Sequence, residues 1–194
     1  MNNSANDISL GSSPNELGDL LVGYLDQLEV DYLFGVPGGA IEPLYNALAR
    51  SERRGGVRSV VARHESGAAF MADGYARETG RLGVCCSTTG PGATNLITGV
   101  ASALADNVPM LVITAQTALP HFGKGAFQES SCTAVDTVAM FRHCTVYSTL
   151  VSHPEQLEPK LPRPLPTPSR SRASPYQYST RYPLQSLADG GTGL

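Results

Sequence analysis

Glu65 is the side chain whose surroundings in this sequence best suit it to chemistry. It lies in "RHESGAAF" (63–70), with Gly67, Ala68 and Ala69 behind it and no second acid in the stretch to share a proton. An acid in the first turn of a helix complements the helix dipole, which is a purely structural use. The chemical use begins with the small residues, which let a flat ring come close to the backbone. A lone acid against apolar surroundings has its charged form destabilised, which suits it to sharing a proton with a heterocyclic nitrogen. Three other segments have the composition of a site: "GVPGG" (35–39), "TGPGATN" (89–95) and the long "QTALPHFGKGAFQES" (116–130). Loops of that last length inside compact domains are commonly functional.

Other chemistries find little support. A dinucleotide fingerprint needs G-x-G-x-x-G straight after a strand. "GVPGGA" has the wrong glycine spacing, and "GPGATN" holds only the first two glycines. "GKGAF" is not a P-loop, and no G-x-S-x-G nucleophile elbow occurs. No His/Cys/Asp cluster has metal-ligand spacing, so no metal ligand is assigned. His64 reads as structural or as a surface donor, and His121, His143 and His153 have no partner visible in the sequence. Cys85, Cys86, Cys132 and Cys144 form no CxxC pair and read as free thiols of a reducing cytosol. A net charge of −3 gives no basic footprint for nucleic acid and no polybasic membrane patch. No apolar stretch is long enough to span a bilayer, and "MNNSANDISLGSSPNELG" lacks a secretory pattern, so a cytoplasmic location is expected.

The elements that must position these segments follow from periodicity. Ser13-Pro14, with Glu16 at capping-box spacing, opens a helix carrying Leu17, Leu20, Leu21, Tyr24, Leu25 and Leu28. Strands are expected at 32–36, 57–62, 82–88, 109–115 and 143–147. Helices are expected at 41–48, 65–79 with Gly80 as C-cap, 95–104 and 134–141. Alternating strands and helices, with "PMLVITA" (109–115) apolar throughout, imply a doubly wound, mostly parallel α/β sheet with helices on both faces. In such sheets ligands bind beyond the carboxyl ends of the strands, where all four special loops fall. Residues 1–13 read as a disordered lead and 14–158 as the domain. Residues 159–194 hold seven of the 14 prolines and no Val, Ile, Phe or Met, and read as a disordered tail.

Four motifs in order carry a resemblance: "GVPGGAIEPLYNAL", "RHESGAAFMADGYARETG", "STTGPGATNLITGVASALADNVPMLVITAQ" and "GAFQE". Residues 14–158 resemble the N-terminal, pyrimidine-binding domain of thiamine-diphosphate enzymes of the acetolactate synthase type. The resemblance implies that Glu65 is the catalytic glutamate. Such a residue hydrogen-bonds N1′ of the cofactor's aminopyrimidine and favours the tautomer that takes the thiazolium C2 proton. The activated cofactor then attacks a 2-oxo acid such as pyruvate, and CO2 leaves. It further implies that Gly90, Pro91 and Gly92, with Asn95 behind them, lie near the pyrimidine. Pro37, Gly38 and Gly39 would form the mouth, and Phe127 and Gln128 would stand near thiazolium and substrate. Read without the resemblance, the glycines serve tight turns, Asn95 a helix cap, and Phe127 and Gln128 core and loop.

Family members bind Mg2+ and the diphosphate through a C-terminal domain whose motif is absent here, and assemble as homodimers or larger. FAD in full-length relatives is left open. Ser66 stands where glutamine is common and Phe70 where histidine is frequent, which leaves the exact 2-oxo acid open. The loss of pattern after Glu158 reads as an altered reading frame that truncates a longer enzyme, so the isolated chain is expected to be inactive. The alternatives are a noncatalytic remnant that pairs with full-length relatives, and a nucleotide-binding doubly wound domain.

Overall fold

A computed structural model describes residues 17–161 and, as backbone, 179–180. The expected lead, the Ser13-Pro14 helix start and nearly all of the expected tail lie outside the described residues. The chain runs α1 (Leu17–Gln27), β1 (Tyr32–Gly35), α2 (Glu42–Arg53), β2 (Arg58–Val61), α3 (Glu65–Thr79) and β3 (Gly83–Ser87). It continues with α4 (Pro91–Asn95), α5 (Ile97–Ala105), β4 (Met110–Thr114), α6 (Thr137–Phe141), α7 (Leu157–Lys160) and β5 (Ser179–Thr180). All pairings are parallel, in the order β2-β1-β3-β4-β5. The expected doubly wound sheet is therefore present, and its direction reverses between β1 and β3, the crevice where such sheets hold ligands.

The two faces have separate cores. Leu21, Leu25, Leu44 and Leu48 of α1 and α2 pack on Val84, Cys86, Leu111 and Ile113. Ala68, Ala69, Ala72 and Val100 of α3 and α5 pack on Cys85, Met110 and Val112. The alternation along β3 and β4 sends neighbouring residues to opposite faces, so both strands are buried throughout. Burial pushes the Cys86 thiol up to about 12 and the Cys85 thiol higher still, so neither is a thiolate near neutral pH.

Helix α3 lies unusually close to its neighbours because its inner face is alanine. A Cβ on Gly99 of α5 would come within 2.6 Å of Ala69 Cβ, and one on Gly83 of β3 within 2.3 Å of the Ala72 carbonyl oxygen. Gly80 ends the helix at φ +70°, as expected of a left-handed cap.

Three expectations need correction. Residues 143–147 form no strand. Their hydrogen bonds turn back on α6 instead, with the Cys144 amide and the Thr145 hydroxyl both donating to the Phe141 carbonyl. The helix expected at 95–104 is two pieces, because Pro91 starts α4 four residues earlier and the chain then turns at Leu96. Pro159 and Lys160, expected in the tail, complete α7, whose Leu157 joins Leu161 and Val151 in the first core. Ser179–Thr180 pairs with Val112 and Ile113 at the sheet edge.

Candidate functional site

The carboxyl ends of β1, β2, β3 and β4 share one edge because the strands are parallel, and each is followed by one of the marked loops. Glu65 is the first residue of α3, where its charge meets the positive end of the helix. His64 is the N-cap, and its Nδ1 accepts the Ser66 amide at 3.2 Å and lies 2.7 Å from the Ser66 hydroxyl. This structural use of His64 also gives Ser66 a role. The imidazole is engaged with Ser66 and the Glu65 carboxyl group is left to the site.

Glu65 is half-buried. Asn95 Nδ2 donates to its Oε2 at 3.0 Å. Its Oε1 accepts no hydrogen bond from the described residues and lies 3.3 Å from the point where a Gly92 side chain would begin. Glu65, Gly92 and Asn95 are thus brought together, and Asn95, at the end of α4, does not serve as a helix cap.

The other expected residues stand on the loops that follow β1, β3 and β4. Gly90 takes φ +61°, and a Cβ there would meet Gln128 at 2.8 Å, so the turn before α4 is packed against the Gln128 backbone. Gln128 itself has φ +56°, a conformation uncommon for a side-chain-bearing residue and held only where neighbours enforce it. Gly38 packs on Thr88 across the β1/β3 crevice, within 2.7 Å of where its Cβ would stand. Pro37, Gly39 and Pro91 are exposed at the rim. Phe127 is 85% exposed, so it is neither core nor packed on Glu65.

Sequence reasoning missed Gln116. It is 1% exposed, and its Oε1 accepts the amides of Thr117 (3.0 Å) and Ser130 (3.3 Å) and the hydroxyls of Thr89 (3.2 Å) and Ser130 (3.0 Å). It ties the glycine turn to the 116–130 loop. The one available signal was a polar residue directly after an all-apolar strand. A hollow of about 720 Å³ lies at the opposite, amino edge, lined by Asp26, Asp31, Arg58 and Arg81 among others. Its charges are engaged locally: Asp31 is held below the ordinary carboxylate range by the Tyr75 hydroxyl and Arg81, and Arg58 stacks on Tyr32. Among the described residues no group of His, Cys, Asp or Glu could hold a metal ion, and no helix is long and apolar enough to cross a membrane.

A parallel α/β domain with a lone carboxyl group among glycine turns at its switch-point edge defines a ligand-binding domain of the doubly wound class. The comparisons with known proteins narrow this. Residues 15–140 match the family model described as thiamine pyrophosphate enzyme, N-terminal TPP binding domain. The chain belongs to that family. It is 51% identical over 128 residues to the acetolactate synthase isozyme 2 large subunit of Escherichia coli (strain K12), covering 66% of this chain and 22% of that protein. It is 44% identical over 135 residues to the acetolactate synthase large subunit of Lactococcus lactis subsp. lactis (strain IL1403), covering 70% and 22%. It is 41% identical over 140 residues to the mitochondrial acetolactate synthase catalytic subunit of Saccharomyces cerevisiae (strain ATCC 204508 / S288c), covering 72% and 19%. The chain spans about a fifth of the length of these relatives.

Proposed function

We propose that this chain supplies the pyrimidine-facing half of an acetolactate-synthase-type carboligase acting on 2-oxo acids such as pyruvate. The observation that carries the reading is the Glu65 carboxyl group: half-buried, fixed at one oxygen by Asn95, and at the other, beside Gly92, without a partner among the described residues. The residues suit the pyrimidine part of thiamine diphosphate. Gly92 leaves the space that a side chain would fill against Oε1, and Oε1 is an acceptor without a partner among the described residues.

Thiamine diphosphate, when bound, supplies carbanion chemistry at its thiazolium carbon. The chain's own residues do the rest of what is proposed here. Glu65 shares a proton with the ring nitrogen N1′: its carboxyl O–H donates to the bare nitrogen, and its carboxylate accepts from N1′–H. Gly90, Pro91 and Gly92 form the wall against which the ring lies, and Pro37, Gly38 and Gly39 form the mouth. Phe127 and Gln128 lie on the substrate side. Mg2+ and the diphosphate would be held outside this pyrimidine-facing domain. Exposed Phe127, Phe70 and Met71 would be covered in a homodimer or larger assembly. The free thiols support a reducing, cytoplasmic setting.

The test is complementation in trans. The chain is mixed with a separately expressed diphosphate-binding domain of a relative, thiamine diphosphate, Mg2+ and pyruvate. CO2 release that disappears in Glu65→Gln supports the reading. Co-purification of the two domains without turnover sinks the catalytic reading and leaves a pairing module.

A further inference from the structure

Asn95 stands half-buried at the last position of α4, where its Nδ2 donates to Glu65 Oε2 at 3.0 Å. The bond joins two elements. Helix α3 follows β2 and α4 follows β3, and these strands are not neighbours, since β1 lies between them. The Glu65 carboxyl group accepts no other hydrogen bond among the described residues, so this amide is the polar contact that fixes its plane. An unrestrained glutamate would spread both oxygens over several rotamers. Here Oε2 is taken, and Oε1 is the oxygen beside Gly92. The NH2 of Asn95 donates but does not ionise at working pH, so it can hold the acid but cannot replace it. The His64 ring, turned to Ser66, does not compete for either oxygen.

We propose that Asn95 is a positioning residue for Glu65. It captures Oε2 and leaves Oε1 as the single oxygen presented, beside Gly92, to a nitrogen heterocycle. That the heterocycle is the aminopyrimidine of thiamine diphosphate rests on the function proposed above; the Asn95–Glu65 bond does not.

The experiment uses the full chain, labelled with 15N, and begins without ligand. In wild type one Nδ2 proton of Asn95 is shifted downfield and exchanges slowly, as a donor to a carboxylate does. In Glu65→Ala both protons return to the positions of a free amide. Asn95 signals that are the same in both proteins overturn the proposal. The second arm adds 4-amino-5-hydroxymethyl-2-methylpyrimidine, labelled at its ring nitrogen. Wild type moves the ring-nitrogen shift, and Asn95→Ala weakens binding about tenfold, the scale of one hydrogen bond to a charged group. Asn95→Ala that binds the pyrimidine as wild type does, with the same nitrogen shift, also overturns it. An amide signature present in a wild type that takes up no pyrimidine supports the positioning role and overturns the cofactor reading, so the two failures are distinguishable.

Discussion

Gly92→Ala tests how tightly the site is built. The new methyl group would stand 2.8 Å from Thr88 Cγ2, 3.3 Å from Glu65 Oε1 and 3.6 Å from Ser87 Cβ. Two carbon atoms rest comfortably at about 3.5–4.0 Å, so the first contact is an overlap that something must relieve. Thr88 has little room to turn away, because its Cβ, Oγ1 and Cγ2 all lie within 3.0 Å of the point where a Gly38 side chain would begin. Overpacking of this kind costs about 1–3 kcal/mol. Alanine returns roughly 0.5–1 kcal/mol in helix α4 by lowering the entropy lost on folding. The net expectation is a loss of about 1–2 kcal/mol. Urea unfolding reads it as a lower midpoint at unchanged slope. Thr88→Ser removes the offending methyl, so Gly92→Ala/Thr88→Ser should lose less than the sum of the single changes, by about 1 kcal/mol of coupling. Gly92→Ala at wild-type stability, or a strictly additive double variant, would refute the claim that Gly92 is glycine for lack of space.

Gly74→Ala is the contrasting case: it lies inside α3 with nothing within 4 Å of a new Cβ, so thermal or urea unfolding should show a gain of about 0.5–1 kcal/mol. Gln116→Leu removes the acceptor of the Thr117 and Ser130 amides and should destabilise the chain by about 1–3 kcal/mol, with faster hydrogen exchange across 116–130. The Gly123 amide and the hydroxyls of Ser131 and Thr133 hold the Glu129 carboxyl below its ordinary value of 4.5. A lowered folded value means the clasp is fully present above 4.5 and is lost as pH falls through that lowered value. Exchange protection at Gly123 should therefore fall on acidification, and Glu129→Gln should flatten that dependence.

Much of this arrangement is legible in the residues themselves. The α3 limits follow from a polar residue before Glu65 and Gly80 after Thr79, because caps leave local marks. The sheet follows from apolar runs separated by helical periods, and β4 reads as buried on both faces because it is apolar on both. The β-like run 143–147 misleads, since nothing local shows that its amides are taken up in the turn after α6. Gln116 is invisible for a similar reason. Its partners Thr89 and Ser130 lie 27 and 14 residues away, and only the fold gathers them. Glu65 is conspicuous by its neighbours, but its hydrogen bond to Asn95 spans 30 residues and two connections of the sheet. That Gly90 and Gln128 meet each other is likewise a property of the fold.

The claim that Glu65 works on the pyrimidine ring is tested most directly by hydrogen–deuterium exchange at the C2 position of thiamine diphosphate. The exchange is followed by NMR in the mixture of this chain with a complementing diphosphate-binding domain and Mg2+. Proton transfer assisted by a positioned group contributes about 10²–10⁴-fold, so Glu65→Gln should slow the exchange by about a hundredfold or more while the chain stays folded. Equal exchange rates with wild-type and Glu65→Gln chains, in a mixture that does bind the cofactor, would contradict it.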